Sequence, residues 1–399
     1  MGGSQLFDRA VFERDVSTIV SIAGEWGLDF LDVEFFLCPS EVISFIAAYS
    51  LPTRFSHWSF GKSFRKLVLQ QRHGLACIHE LVYFSVPCQA FVSEGNSPVE
   101  NMIVAAHVIA HADFFKNNVN FWSAGKHTAL VARTARSFIQ ECISRFGPER
   151  VERVLDAALA LRYYPELLEF IACNSPVLED WQRQVIKYVR EESCYFFQLL
   201  ETKFLNEGWA AYWHTQILRA MDLDVKEAVE FARVNAAALE VSCKSVNPYR
   251  LGLDLFTAIR RTLGIQELFA IRRGENDFSF FQKYLSRDII KELGLTGYSF
   301  GKGSAREFQL PPEEIKRHFL RGLGRCGLPD IGVDKERTSG GRLYLRHVYD
   351  GRPLHVYSAK KTLEQISFLW GGSIALNTRQ GGRDVVFIYD KNGHSSAVL

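Results

Sequence analysis

From residue 5 to about residue 325, apolar residues return at three- and four-residue spacing, and this helical period restricts the fold more than any other feature of the chain. The stretches DRAVFERDVSTIVSIAGEWGL, PSEVISFIAAY, RHGLACIHELVYF, NSPVENMIVAAHVIAHADFF, LEDWQRQVIKYVREESCYFFQLL, NEGWAAYWHTQILRAM and NPYRLGLDLFTAIRRTL all carry it. Helix starts are marked where Ser97-Pro98 and Asn247-Pro248 put a capping side chain before a proline. Gly147-Pro148 and Asn174-Ser175-Pro176 mark breaks.

After about residue 328 the texture changes. RLYLRHVY and PLHVYSA read as β-strands paired around Asp350-Gly351, KKTLEQISFLW as a helix, and SIALNTR with RDVVFIYD as a second hairpin around Gly381-Gly382. The expected fold is therefore mainly α: a multi-helix domain, zincin-like or bundle-like, followed by a small α+β domain of ββαββ pattern. The expected division is an N-terminal helical segment over 1–50, a main helical domain over 51–325 and the small domain over 326–399.

Several function classes are disfavoured at once. The chain has 399 residues, and its 47 basic and 45 acidic side chains nearly cancel, so no global field favours nucleic acid or an anionic membrane surface. No apolar run reaches the roughly 20 residues of a membrane span. Met1 to Arg9 lacks the basic and apolar succession of a secretory signal, and Leu6 stands where a myristoylation motif wants Ser or Thr. Eight cysteines without a CxxC pair read as free thiols in a reducing compartment, and the expected location is cytoplasmic. P-loop, dinucleotide-binding and serine-hydrolase motifs are missing.

The residues that can carry chemistry sit on two of the helices. In AHVIAHADFF, His107 and His111 are one turn apart; in NEGWAAYWH, Glu207 and His214 are seven apart, with Ala210 and Ala211 between them on the same face. Burying these polar groups among apolar neighbours is costly unless something compensates them, and a divalent ion does so directly. His107, His111, Glu207 and His214 are accordingly the expected metal ligands, with zinc as the expected ion. The pattern is similar to that of a zincin, whose HExxH motif supplies two ligands, but Val108 occupies the position of the general-base glutamate. Glu80 in CIHELVYF, placed mid-helix by the period, and Glu192 are the candidate catalytic bases. Were both to join the four ligands, the set would suit a carboxylate-bridged dinuclear centre. Either carboxylate would equally serve in a salt bridge to a neighbouring Arg or Lys. Asn96, Lys116 and Asn118 flank the His107/His111 helix as ordinary caps, in positions that also offer amides and an ammonium to a substrate.

Taken together, LPTRFSHWSFGKSF, GLACIHELVYFSVPCQAF, AHVIAHADFFKNN, LEDWQRQVIKYVREE, NEGWAAYWH and NPYRLGLDLF occur in an order that resembles the stage V sporulation protein R (SpoVR) family. The resemblance runs from about residue 50 to the C-terminal hairpins. It implies a cytoplasmic bacterial protein connected with spore cortex formation or, in species that do not sporulate, with stress response. It also implies a serine-kinase-like AAA protein and a von Willebrand-type protein as partners, but no reaction. Two readings stand side by side: a metal-dependent hydrolase of peptide or amide bonds, and a non-catalytic adaptor for those two partners.

Overall fold

The computed structural model describes residues 8–51, 53–72, 80–121, 128–240, 247–295, 297–301, 304–308, 311–339 and 341–399. In chain order its elements begin α1 (Arg9–Glu25), β1 (Val33–Cys38), α2 (Ser40–Tyr49), α3 (Trp58–Arg72), β2 (Glu80–Tyr83), β3 (Cys88–Ser93) and α4 (Pro98–Asn117). A helical stretch follows: α5 (Thr128–Phe146), α6 (Pro148–Ala160), α7 (Pro165–Asn174), α8 (Asp180–Glu201), α9 (Lys203–Ala220), α10 (Val225–Ala238), α11 (Pro248–Leu263), α12 (Ile265–Gly274), α13 (Asp277–Tyr284) and α14 (Arg287–Glu292). The chain closes with β4 (Gly297–Gly301), β5 (Ser304–Phe308), α15 (Pro312–Leu323), β6 (Asp330–Val333), β7 (Leu343–Val348), α16 (Val356–Trp370), β8 (Ile374–Gln380), β9 (Arg383–Asp390) and β10 (Gly393–Val398). The protein is mainly helical with a small C-terminal sheet domain, and no helix among the described residues is long and apolar enough to cross a membrane.

The chain divides into two units that interleave in sequence, unlike the three consecutive segments the sequence suggests. The first unit holds residues 1–52, 58–127 and 198–323; the second holds 53–57, 128–197 and 324–399. Helices α5 to α7 and most of α8 thus belong with the C-terminal sheet. Helical period reports which face of a helix is buried, and it does not report which neighbour buries it.

The first unit is built on two helices buried on nearly every side, α4 and α9. Ser97 and Glu100 form a complete capping box at the start of α4, and Pro98 occupies its first turn. At the start of α9 the cap comes from another element: the Asp277 carboxylate of α13 accepts the backbone N–H groups of Phe204 (2.9 Å) and Leu205 (2.8 Å). Burial pushes the Asp277 carboxyl up to about 7, against which these two bonds act. Because the folded value lies above the unfolded one, the group's stabilisation is complete below about pH 4 and is lost as pH rises through about 7. Asp277→Asn is therefore expected to flatten the fall in denaturation free energy between pH 4 and 8, by as much as about 4 kcal/mol relative to the parent; urea titrations of both proteins across that range would check it, and parallel curves would refute it.

A three-stranded sheet of order β1-β3-β2, parallel between β1 and β3 and antiparallel between β3 and β2, completes this unit's core. Ala90 and Val92 of β3 pack on Val104 and Val108 of α4. The helical reading of RHGLACIHELVYF is corrected here. Glu80 to Tyr83 is strand, because it pairs with β3 and sets Val82 beside Ala90 and Val92 on the sheet face that packs on α4; the preceding residues 73–79 lie outside the described ones.

In the second unit, the five-stranded sheet has the order β10-β9-β8-β7-β6. Buried Leu343, Leu345, Ile374, Leu376 and Phe387 of the sheet and Leu363, Ile366 and Leu369 of α16 form its core. The expected hairpin at Asp350-Gly351 is not formed. His355 caps α16 by accepting the N–H of Ser358, so most of PLHVYSA is the start of that helix. The helix then crosses the sheet face, which makes β7 and β8 parallel neighbours. The first hairpin partner of β7 is β6, while β8 and β9 pair around Gly381-Gly382 as the sequence suggests. The 53–57 strap is held in this unit by buried Arg54, whose Nε (2.8 Å) and Nη2 (2.7 Å) both donate to Glu192 Oε2, and by His57 against Asp156 (3.1 Å).

Candidate metal centre

Helices α4 and α9 bring the predicted side chains together, and a backbone contact fixes their approach to a third helix. Gly208 of α9 faces Gly252 of α11, and a methyl group placed on Gly208 would lie 2.5 Å from the Cα of Gly252. No residue larger than glycine permits helices this close, so the pair sets where Glu207, one position before Gly208, stands.

His107 and His111 lie on one face of α4, 4.5 Å apart between ring centroids, and both point Nε2 at the same atom. Glu207 Oε2 is 3.6 Å from His107 Nε2 and 3.6 Å from His111 Nε2. All three ligand atoms lie within 4.8 Å of one another. Neither 3.6 Å separation is a hydrogen bond, and Oε2 is buried without a hydrogen-bond partner among the described residues. Two atoms bound to one tetrahedral ion at about 2.0–2.2 Å stand about 3.3–3.6 Å apart, which is the spacing of each histidine from Glu207.

The other ring nitrogens show where the protons are. His111 Nδ1 lies 2.9 Å from Asn206 Oδ1, which can only accept, so Nδ1 carries the proton and Nε2 the lone pair. His214 Nε2 likewise donates to Asn235 Oδ1 at 3.0 Å. In neutral His214 the remaining nitrogen, Nδ1, must then accept from His107 Nδ1, 2.9 Å away. That bond places a proton on His107 Nδ1 and leaves its Nε2 to face Glu207. Two imidazole Nε2 atoms and a carboxylate oxygen therefore converge. Burial, reinforced by the neighbouring His107, drives His111 down to about 4 and His214 down to about 3, so both are neutral near pH 7. Burial alone would raise the Glu207 carboxyl, whereas protons carried by His107 and His111, together with Tyr249, outweigh it and hold it below the ordinary carboxylate range. The residues fit a cation: two imidazoles and a carboxylate, each imidazole steadied from behind.

The remaining candidate residues fall elsewhere. His214 stands behind His107, bonded to its outer nitrogen, and is not one of the three converging groups. Glu192 belongs to the second unit and pairs with Arg54, the salt bridge that was its alternative reading. Glu80 opens strand β2, and its side chain lies outside the described residues. Lys116 pairs with Asp29, and Asn118 is fully buried with its amide donating to the carbonyls of Arg272 and Glu275, a bond pattern that ties the end of α4 to α12. Asn96 lies in the turn before α4, where its N–H reaches Ser93 O. Three supporting residues escaped the sequence reading: Asn206, Asn235 and Tyr249. Only Asn206 carried a signal, being a polar residue directly beside Glu207 in NEGWAAYWH.

The architecture is thus that of a mainly helical protein with a buried cluster of two histidines and one carboxylate and a small C-terminal sheet domain. The family described as SpoVR like protein matches residues 8–166 and 163–310, and the SpoVR-like C-terminal domain matches 329–381, so the chain belongs to the SpoVR-like family. The match begins at residue 8, which brings the segment before residue 50 into the family region as well. A protein of Escherichia coli (strain K12), described as Uncharacterized protein YcgB, is 26% identical over 430 residues, covering 82% of this chain and 84% of its own length. No solved structure matches.

Proposed function

We propose that His107, His111 and Glu207 hold a divalent ion, zinc by preference, and that the protein is a metal-dependent hydrolase of peptide or amide bonds. The observation that carries the metal is the convergence of two histidine Nε2 atoms on one buried carboxylate oxygen at 3.6 Å. Three protein ligands leave a fourth tetrahedral position open, the arrangement of catalytic rather than structural zinc. Bound there, the ion would supply Lewis acidity toward a carbonyl group or water. Val108 carries no base, so the helix does not provide the proton acceptor that HExxH enzymes use. The family's name connects it with sporulation, and we place the activity in that setting or in stress response.

The residues of the chain divide the work. Asn206 holds the His111 ring, and His214 with Asn235 holds the His107 ring, so that both present Nε2 inward. Asn206→Ala is expected to weaken zinc binding by about 10- to 100-fold while leaving the helix content unchanged, measured by competition with a chromophoric chelator; an unaltered affinity would remove Asn206 from this arrangement. The hydrolase reading is tested by incubating zinc-loaded protein with a mixture of unstructured peptides. Cleavage that stops with a chelator and in His107→Ala supports it. Zinc-loaded protein that cleaves nothing would leave a metal protein without the hydrolase.

A further inference from the structure

Strand β1 lies at the end of its sheet, bonded to β3 on one side only among the described residues. Its register shows which backbone groups are left over. Asp32 O accepts from Cys88 N (2.8 Å) and Cys38 O accepts from Glu94 N (3.0 Å). In a parallel ladder the residues that bond a given neighbour alternate, so Asp32, Glu34, Phe36 and Cys38 turn toward β3. Val33, Phe35 and Leu37 turn the other way and present three N–H and three C=O groups at the open edge. Phe36 and Leu37 are 39% and 37% exposed, on a strand with no proline or lysine to discourage pairing.

Beside that edge is a groove of about 720 Å³ whose walls include Phe12 and Val16 of α1 and Phe35 and Leu37 of β1. Phe12 meets Phe35 edge to face at 5.5 Å, which closes its floor. Its charged lining is Arg9, Glu13 and Glu34. Arg9 and Glu13 neutralise each other at 2.7 Å, so the exposed Glu34 gives the groove its net charge.

We propose that β1 and this groove receive an extended peptide segment of another protein, which adds as a fourth strand to the sheet. The open backbone row supplies register-independent affinity, the groove accepts every second side chain if it is apolar, and Glu34 selects a basic residue on the added strand. A second copy of the chain is the poorer occupant. In an antiparallel pair of β1 strands centred on Phe35, Glu34 falls opposite Phe36 and its charge stays uncompensated. The inference rests on the sheet edge and is independent of the metal reading.

The test is residue-resolved hydrogen exchange of the full chain with a capped peptide, Thr-Val-Lys-Val-Thr-Val. Without peptide, the amides of Val33, Phe35 and Leu37 should exchange fast beside slow Glu34, Phe36 and Cys38. Peptide at about 1 mM should slow those three at least about tenfold, and the same peptide fully N-methylated should not. Glu34→Lys, an exposed change that leaves the strand intact, should weaken the lysine peptide about threefold and reverse the preference in favour of a glutamate peptide. Equal exchange with and without peptide, or equal protection by the N-methylated form, would overturn the proposal. Protection that is already present without peptide and disappears on dilution would overturn it too, by assigning the edge to a second copy.

Discussion

Gly252→Val is expected to destabilise the first unit by at least about 3 kcal/mol. The added side chain would have to enter the backbone of Gly208, and no rotamer change relieves a clash with main-chain atoms. Helices α9 and α11 must separate, which moves Glu207 away from His107 and His111 and should remove the proposed metal binding together with stability. Denaturation followed by tryptophan fluorescence is a direct readout, because Trp209 and Trp213 are fully buried on α9. A loss below about 1 kcal/mol would mean that the two helices do not touch as described.

The second large effect is at Asp113, a fully buried carboxylate two residues beyond His111. It accepts from Arg272 Nη1 (2.5 Å), from the backbone N–H of Asp29 (2.7 Å) and from Trp209 Nε1 (3.0 Å), and so joins α4 to α12, to the chain after α1 and to α9. Asp113→Ala leaves a buried guanidinium and two further donors without an acceptor, and an expected cost of about 3–5 kcal/mol follows. Replacing the pair together, Asp113→Leu with Arg272→Met, should regain about half of that, since it removes the stranded charge but not the needs of Asp29 and Trp209. Equilibrium denaturation of the parent, the single and the double variant measures both numbers. A single variant as stable as the parent would contradict the buried pair.

What the sequence discloses about the centre follows from the range of its rules. The spacing that puts His107 beside His111, and Glu207 in line with His214, is local to one helix and can be read from the chain. Which of the latter two meets the histidines depends on how α9 crosses α4, and that crossing joins residues 95 and 107 positions apart in sequence, beyond the reach of any local rule. His214 therefore looked equivalent to Glu207 and turned out to support His107 from behind. Asn235 was invisible for the same reason: it lies on a separate helix whose own pattern is an ordinary amphipathic one.

The missed strands have a different cause. VEFFLC and CQAFVS are short apolar runs, which alternate too little to stand out against helical neighbours, and they become strands by pairing with each other. PLHVYSA has good strand propensity but carries His355 three residues before Ser358, and the cap this pair forms decides for helix. In each case a tertiary or capping interaction overrides local preference.

The central claim is that two histidines and a glutamate from α4 and α9 hold a metal ion. Elemental analysis by mass spectrometry of the protein purified without chelators tests it most directly. About one equivalent of a divalent metal, zinc by preference, is expected in the parent and almost none in a folded His107→Ala, His111→Ala double variant. Folded parent protein that carries no metal and takes up none from micromolar zinc would contradict it.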